Sequence, residues 1–302
     1  MVPPKLNAWW LAVKPGSLPK ILVPVAVGWS LGFSVAGAFD PVLAALVFGL
    51  ALCAQWAIVL LNDYADREAD ITHQAHFPEH IDPRVLVERL LRPGQVVTAG
   101  LFAVLGVLAV AAVLVFYQRP YALYLGLAGL VVFAAYSFGP LRLNYRGGGE
   151  LLEVLGVGLL LPVTGYYIAS GILPTGHVHL LAPITLYALI GALASGLKHE
   201  PADRENGKRT CSVLFGAPAT RKVIWLAQMM ARVCCGVLFL TGEYGHFALI
   251  LGALLPSAPM FITRRFDADA DFNNLPALAR YKQSLIQAGY LTSLALILDF
   301  IF

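Results

Sequence analysis

The sequence predicts an all-α, polytopic membrane protein with nine transmembrane helices. Three observations support this prediction. Of the 302 residues, 58% are hydrophobic and only 13% are charged; apolar stretches long enough to cross a bilayer recur nine times; and Lys and Arg residues concentrate on one side of the predicted membrane. This composition excludes a soluble enzyme with a large core. We interpret residues 1–302 as one transmembrane domain in contact with the lipid bilayer, with no segment typical of nucleic-acid binding and no evident obligatory protein partner.

Apolar stretches of roughly 17–25 residues define the predicted spans. Before the first of them, Leu6–Val13 contains Trp9 and Trp10 and is predicted to be an interfacial helix, because indoles favour the headgroup level. Residues 261–282 are polar and are predicted to form a solvated loop or a short connecting helix. The nine predicted spans are Leu18–Ala38, Pro41–Leu61, Gln95–Phe116, Pro120–Phe138, Glu150–Gly171, His177–Leu197, Val223–Thr241, His246–Thr263 and Leu285–Phe302.

The distribution of positive charge predicts the orientation. All of the 21 Lys and Arg residues except Arg119 and Arg232 lie in the N-terminal segment or in the loops after spans two, four, six and eight. Since cytoplasmic loops are rich in Lys and Arg, we expect the N-terminus and these polar loops to be cytoplasmic and the C-terminus to be outside. An odd number of spans is required for this arrangement, which agrees with nine. In a bacterium the chain would lie in the cytoplasmic membrane.

A cluster of carboxylates directly follows the second span. At about 100° per residue, four oxygen-bearing side chains of the segment Asn62–Asp70 fall within about one quadrant of a helix; they are Asn62, Asp63, Asp66 and Asp70. Ionised carboxylates beside hydrocarbon are costly unless they are paired or bound to metal. Mg²⁺ held by a few carboxylates commonly completes its shell with substrate phosphates. The pattern therefore predicts a membrane site for Mg²⁺ and a phosphorylated, apolar substrate.

A second acidic segment follows the sixth span. Glu200 and Asp203 are three residues apart and would share a face in a helix, although Pro201 is expected to limit how far upstream that helix extends. Lys208 and Arg209 add cations that suit phosphate oxygens. An ordinary positive-inside loop is the alternative interpretation of this segment.

The loop after the fourth span combines aromatic and cationic residues. Tyr136 and Tyr145 lie near the same predicted membrane face as Arg142 and Arg146. Guanidinium groups suit the oxygens of a diphosphate, and the face of a tyrosine ring can stabilise a carbocation. The alternative is an aromatic belt beside positive-inside arginines.

These residues resemble a known family. The segment Asn62–Asp70 matches the NDxxDxxxD signature of the UbiA superfamily of intramembrane prenyltransferases, which also have nine spans. Three further segments, Trp10–Pro19, Leu141–Glu150 and Asp203–Thr210, are similar to the menaquinone branch, the 1,4-dihydroxy-2-naphthoate polyprenyltransferases. The resemblance implies an all-helical bundle around a central cavity. It also implies Mg²⁺-dependent transfer of a polyprenyl group from a polyprenyl diphosphate to an aromatic acceptor, most closely 1,4-dihydroxy-2-naphthoate.

The resemblance also implies roles for particular residues. Catalysis is expected to depend on Asp66, Asp70 and Asp203. The predicted metal ligands are Asp63, Asp66, Asp70 and Asp203, with Glu200 as a substitute ligand. The predicted substrate contacts are Asn62, Lys14, Arg84, Tyr136, Arg142, Tyr145, Arg146, Lys208 and Arg209.

One position departs from the family pattern. The second acidic motif of the family places an Asp four residues before the equivalent of Asp203, where this chain has His199 followed by Glu200. Either Glu200 takes over as ligand, or the second metal is held more weakly, or the chain differs in substrate or reaction. Two alternative functions therefore stand beside the first: a UbiA-type enzyme with another acceptor or a terpene-cyclase reaction, and a non-enzymatic lipid carrier or transporter.

Overall fold

The computed structural model describes residues 4–78, 84–242 and 268–302, and single residues at 252, 254, 256–259, 261 and 264. Over these residues all regular structure is helical, as the sequence predicts. Seven of the described helices are long and apolar enough to cross a membrane, and an eighth apolar helix has 17 residues. The chain is therefore an integral, multi-pass membrane protein. Most of the predicted span His246–Thr263 lies outside the described residues.

The described part of the chain is built mainly from ten helices. They are α1 (Pro4–Val13), α2 (Pro19–Ala36), α3 (Pro41–Ala65), α4 (Arg67–His76), α5 (Pro93–Phe116), α6 (Tyr121–Ser137), α7 (Gly149–Ser170), α8 (Ala182–Glu205), α9 (Cys211–Thr241) and α10 (Leu275–Ile301). The interfacial helix predicted at Leu6–Val13 corresponds to α1, in which Trp10 is exposed. Within α7, Val154–Leu160 forms a π-helical stretch, a local widening that often accompanies functional sites.

Glycines bring α2 and α7 into close contact. A Cβ atom added at Gly28 would lie 1.8 Å from the carbonyl oxygen of Pro162, and one added at Gly165 would lie 2.3 Å from that of Val25. Because glycine has no Cβ, the two backbones approach more closely than larger residues would permit. This contact fixes α7, which carries Glu150 and Glu153 at its first turn, against the helix that follows Lys14.

The sequence underestimates the length of α8. Pro201 lies inside this helix, so the expectation that it limits the helix is wrong. Proline removes one backbone hydrogen bond and usually ends or bends a helix, but the neighbouring Leu197, Ala202 and Asp203 are buried, and α8 packs against α9 and α4. Tertiary packing therefore keeps the second acidic segment helical.

The sequence also places the start of the last span too late. Helix α10 begins at Leu275, ten residues before the predicted start at Leu285, so residues 275–282 are helical and not a loop. The side chain of Asn274 accepts a hydrogen bond from the amide of Ala277 at 3.2 Å, and Pro276 occupies the first turn. Asn before Pro is a readable signal of a helix start.

Candidate active site

The first acidic motif lies where α3 ends and α4 begins. Asp66 separates the two helices, yet the amide of Asp66 donates to the carbonyl of Asn62 at 2.9 Å, and the amide of Asp70 donates to the carbonyl of Asp66 at 2.8 Å. These hydrogen bonds continue the helical turn through the junction. As a result, Asn62, Asp66 and Asp70 line one cavity even though two helices carry them.

Two cations hold Asp63. Its buried carboxylate accepts from Lys14 Nζ and, at 2.8 Å, from Arg84 Nη1. Arg84 Nε also lies 3.6 Å from Asp70 Oδ2, so one guanidinium links both carboxylates. Burial, followed by the charge of Arg84, lowers the pKa of Lys14. Burial raises the pKa of Asp70, and Arg84 opposes that shift.

Asp66 is the centre of a second set of contacts. Lys208 Nζ lies 3.0 Å from Asp66 Oδ2, and the Tyr145 hydroxyl donates to Asp66 Oδ1 at 3.2 Å. Arg142 Nη2 is 3.9 Å from the same carboxylate, and its guanidinium lies 3.8 Å from the centre of the Tyr145 ring. Burial raises the pKa of Tyr145, so its hydroxyl keeps its proton and remains a donor.

A tight turn brings the second acidic motif to the first. Gly207, with φ of 74°, adopts the left-handed conformation that ends α8, and the amide of Lys208 donates back to the carbonyl of Asp203 at 2.8 Å. This turn places Lys208 Nζ 4.0 Å from Asp203 Oδ1 while it also contacts Asp66. Burial alone would lower the pKa of Lys208, but Asp66 and Asp203 raise it above its usual value. One ammonium group therefore joins the two motifs.

A polar cavity of about 180 Å³ lies between these motifs. Its charged lining comes from both: Asp66, Asp70 and Arg84 on one side, and Asp203 and Lys208 on the other. The first turn of α7 closes it with two further carboxylates, Glu150 and Glu153. Such a concentration of opposite charges in a partly buried space is typical of a functional site.

An apolar cavity of about 330 Å³ adjoins the polar one. Aliphatic and aromatic side chains of α2, α3, α6 and α7 form most of its walls, including Val25, Leu50 and Phe133. The two cavities share three lining residues, which are Asn62, Tyr136 and Glu153. Ser137 Oγ donates to Asn62 Oδ1 at 3.0 Å and fixes the amide at this boundary. An amphiphilic ligand with an anionic head and an apolar tail would match this pair of cavities.

Six predicted site residues line neither cavity. Asp63, Arg142 and Tyr145 contact residues that do: Asp63 contacts Lys14 and Arg84, and the other two contact Asp66. The remaining three are Glu200, Arg146 and Arg209. Glu200 pairs with Arg204 at 3.0 Å and does not line the polar cavity. The physical reason is the continuous helix: positions 199, 202, 203 and 206 share the face towards the cavity, and Glu200 lies to one side of it. Arg146 and Arg209 are exposed to solvent and line neither cavity.

The structure adds residues that the sequence prediction missed. His199, noted only as a departure, lines the polar cavity, and its ring centre lies 5.2 Å from that of His73, which also lines it. Helical spacing could have found His73, because it follows Asp70 by three residues and Asp66 by seven. Lys20 Nζ lies 2.6 Å from Glu153 Oε1 at the edge of the apolar cavity, but no spacing pattern in the sequence relates Lys20 to the site.

The carboxylates do not form a preassembled metal site. Among the described residues, no group of three His, Cys, Asp or Glu side chains is close enough together to hold a metal ion. Cations separate the carboxylates instead, as Arg84 and Lys208 show. The available donors are nevertheless hard oxygen atoms, the type that Mg²⁺ prefers, and Mg²⁺ needs only one or two carboxylates when phosphate oxygens complete its shell. The donor set therefore fits Mg²⁺ together with a phosphorylated ligand.

Two site cations have an unusual backbone. Lys14, with φ of 46°, and Arg142, with φ of 41°, adopt the left-handed conformation that non-glycine residues rarely take. Such residues cluster at functional sites because the surrounding structure must hold them. The backbone at both positions directs a cation to a site carboxylate, Asp63 and Asp66 respectively.

Comparison with known proteins agrees with this architecture. The family model of the UbiA prenyltransferase family matches residues 21–271. The chain is 27% identical over 282 residues to UbiA prenyltransferase domain-containing protein 1 of Homo sapiens, covering 90% of this chain and 78% of the human protein. It is 21% identical over 295 residues to 1,4-dihydroxy-2-naphthoate octaprenyltransferase of Bacillus subtilis (strain 168), covering 96% and 92%.

Solved structures share the fold. A UbiA homolog from Archaeoglobus fulgidus bound to DMAPP and Mg²⁺ superposes with a TM-score of 0.66 at 16% identity, covering 94% of this chain and 99% of that one. The apo structure of a UbiA homolog from Aeropyrum pernix K1 gives a TM-score of 0.67 at 16% identity, covering 91% and 95%.

Proposed function

Because the chain belongs to the UbiA prenyltransferase family, whose members are prenyltransferases, we propose that it moves the polyprenyl group of an allylic diphosphate to an aromatic acceptor. The sequence favours 1,4-dihydroxy-2-naphthoate, and the similarity to the Bacillus subtilis octaprenyltransferase supports this acceptor. The proposal includes one domain over residues 1–302, nine spans around a central cavity, and cytoplasmic acidic motifs. Eight of the nine predicted spans correspond to described helices, and we propose the apolar sequence of residues 246–263 as the ninth.

One observation carries the proposal. Lys208 contacts Asp66 and Asp203 at once, at the polar cavity that continues into an apolar cavity past Asn62 and Tyr136. A polyprenyl diphosphate has the matching division into an anionic head and a hydrocarbon tail. The diphosphate would lie among the site cations, and the tail would extend along the apolar cavity towards lipid.

Mg²⁺ fits the oxygen donors of this cavity. We propose that Asp66, Asp70 and Asp203 supply carboxylate oxygens, no more than two of them to one ion, with Asp63 as a further ligand and Asn62 as a hydrogen-bonding partner. When bound, Mg²⁺ neutralises the charge that develops on the departing diphosphate. Glu200 is left out of this set because its carboxylate pairs with Arg204.

The side chains of this chain then act in defined ways. Lys14, Arg84 and Lys208 already lie on site carboxylates and would turn part of their donor capacity to diphosphate oxygens as the bond to the allylic carbon breaks. The ring of Tyr136, at the boundary of the cavities, would stabilise the allylic carbocation. The apolar walls exclude water, so a carbon of the electron-rich acceptor ring forms the new bond to the cation instead, and the ring regains aromaticity by losing a proton or carbon dioxide from that carbon.

The direct test is a prenyl-transfer assay on the purified chain. Labelled geranylgeranyl diphosphate is incubated with Mg²⁺ and a panel of aromatic acceptors, and product masses are recorded. We expect a prenylated product with 1,4-dihydroxy-2-naphthoate, loss of product in Asp203→Asn, and near-normal product in Glu205→Gln, a matched exposed carboxylate on the same helix. Release of hydrocarbon or terpene alcohol without any acceptor would identify a cyclase, and no cleavage of the diphosphate at all would refute the enzymatic proposal.

A further inference from the structure

A separate cavity lies outside the candidate active site. It has a volume of about 500 Å³ and lies between α4 and residues 86–93. We call it the arginine groove, because its lining includes Arg67, Arg89 and Arg92. The prenyl-transfer proposal gives none of these three residues a role.

The charge of the groove is uniformly positive. No described carboxylate lines it. Arg67 Nη2 lies 3.5 Å from Glu68 Oε1, but the Glu68 side chain is 85% exposed, so solvent screens this ion pair. Arg92 and Pro93 also bring the N-terminal end of α5 to the groove, and this end carries a partial positive charge. The groove is therefore suited to an anion.

Apart from Gln74, the rest of the wall is apolar. Ile71, Leu86 and Leu91 line the groove beside the arginines, and Ile71 remains 40% exposed. A small inorganic anion would leave this apolar wall in contact with water. A ligand that joins an anionic group to an apolar part would cover both.

The groove lies at the level where membrane spans end. Helix α3 ends at Ala65, two residues before the first groove residue, Arg67, and α5 enters its apolar run at Pro93. Lipid headgroups occupy this level in a bilayer, and cationic residues there attract anionic lipids.

Arg89 has the same unusual backbone as two site cations. Its φ is 56°, and the amide of Leu90 closes the turn by donating to the carbonyl of Val85 at 2.9 Å. Glycine would adopt this conformation without strain. An arginine at this position therefore indicates that its side chain has a use.

We propose that the arginine groove binds the phosphate headgroup of an anionic lipid. The guanidinium groups of Arg67, Arg89 and Arg92 donate to phosphate oxygens, a geometry to which the planar guanidinium is well suited. The apolar wall formed by Ile71 and Leu91 contacts the glycerol and the first methylenes of the acyl chains.

Lipid binding to the full chain, purified in detergent and followed by native mass spectrometry, tests the proposal. We expect one phosphatidylglycerol to bind at least tenfold more tightly than phosphatidylcholine. Arg89→Gly should weaken that binding by roughly tenfold, since a hydrogen bond to a charged group is lost, while its thermal midpoint stays unchanged because glycine suits the turn. Lys222→Gln removes another exposed cation, outside the groove, and should bind as the unmodified chain does.

A second variant separates the groove from general charge. Ile71→Trp fills the groove and keeps every arginine, so we expect it to weaken phosphatidylglycerol binding as well. Unchanged affinity in both Arg89→Gly and Ile71→Trp would overturn the proposal. Displacement of the lipid by inorganic phosphate at equal concentration would overturn the lipid assignment and identify the groove as a site for free phosphate.

Discussion

Replacement of Lys208 by Met tests the contact between the two acidic motifs. The ammonium group lies 3.0 Å from Asp66 and 4.0 Å from Asp203, and only 16% of the Lys208 side chain is exposed. Met keeps the length and the apolar stem of Lys but removes its charge. The change therefore leaves two buried carboxylates without the cation that they share.

The expected loss of stability follows from burial. At an effective dielectric constant of about 20, two unit charges 3.0 Å apart attract by about 5 kcal/mol before desolvation is counted. Removal of one partner of a buried pair commonly destabilises a protein by about 3–5 kcal/mol. We expect the destabilisation by Lys208→Met to lie near the lower end of this range, because Tyr145 and Arg142 continue to contact Asp66. A loss of about 3 kcal/mol would lower the thermal midpoint by roughly 6–12 °C.

The assay is a double-mutant cycle of thermal unfolding in detergent. Lys208→Met, Asp66→Asn and the combined variant are compared with the unmodified chain, and Lys222→Met serves as an exposed control. Because Asn at position 66 needs no cation, the combined variant should lose less than the sum of the single losses. A coupling energy of about 2 kcal/mol is expected for residues in one buried network.

Additive losses would refute the reasoning. If the two single changes sum to the combined change within about 0.5 kcal/mol, Lys208 and Asp66 do not interact in the folded chain. The link between the motifs would then have to be abandoned. A destabilised Lys222→Met would instead show that general charge, not this contact, controls the midpoint.

Three other predictions concern packing, chain length and the ligand set. Gly28→Ala should destabilise the chain by about 1–3 kcal/mol in thermal unfolding, because its Cβ would overlap Pro162. A Cβ at Gly129 would meet open space at the apolar cavity, so the side chain in Gly129→Leu should occupy part of that cavity. We expect the variant to accept only shorter prenyl diphosphates, measured as a KM that rises with prenyl chain length. An equal effect on all chain lengths would contradict this prediction. Glu200→Gln should keep most Mg²⁺-dependent turnover and Asp203→Asn should lose it, whereas the reverse order would restore Glu200 as ligand.

Much of the membrane architecture could be predicted from the sequence. Long apolar stretches must become helices in a bilayer, so the predicted span Pro41–Leu61 corresponds to α3 (Pro41–Ala65), and Gln95–Phe116 to α5 (Pro93–Phe116). Of the two misplaced helix ends, the start of α10 has a local signal in Asn274 and Pro276, whereas the end of α8 depends on tertiary packing. Local rules say that Pro201 should limit a helix, and only its packed surroundings override them.

The site was less predictable than the fold. Spacing grouped Asn62, Asp63, Asp66 and Asp70. Three of these line one cavity, because one helical turn relates neighbouring members, whereas Asp63 does not line it. Spacing also grouped Glu200 with Asp203, yet the structure turns Glu200 to Arg204. A difference of one residue rotates a side chain by about 100°, and only the packing of α8 against α4 decides which face meets the cavity.

The sequence predicts on which side of the membrane the cations lie, but not which of them reach the site. The excess of Lys and Arg on one side is visible in the sequence, and Arg84 and Lys208 reach the site carboxylates as candidates. Arg146 and Arg209 also lie in the Lys- and Arg-rich loops of that side, yet both are exposed to solvent. The difference depends on turns such as the one at Gly207, whose geometry no spacing rule specifies.

Binding of a non-reactive geranylgeranyl thiodiphosphate, titrated with Mg²⁺, is the most direct test of a shared site. We expect tight binding only with Mg²⁺ present, with at least a tenfold loss in Asp66→Asn and a similar loss in Asp203→Asn, since each acidic motif would supply ligand oxygens. If Asp203→Asn bound the analogue as tightly as the unmodified chain at every Mg²⁺ concentration, the second motif would have no part in holding the diphosphate, and the shared site would be refuted.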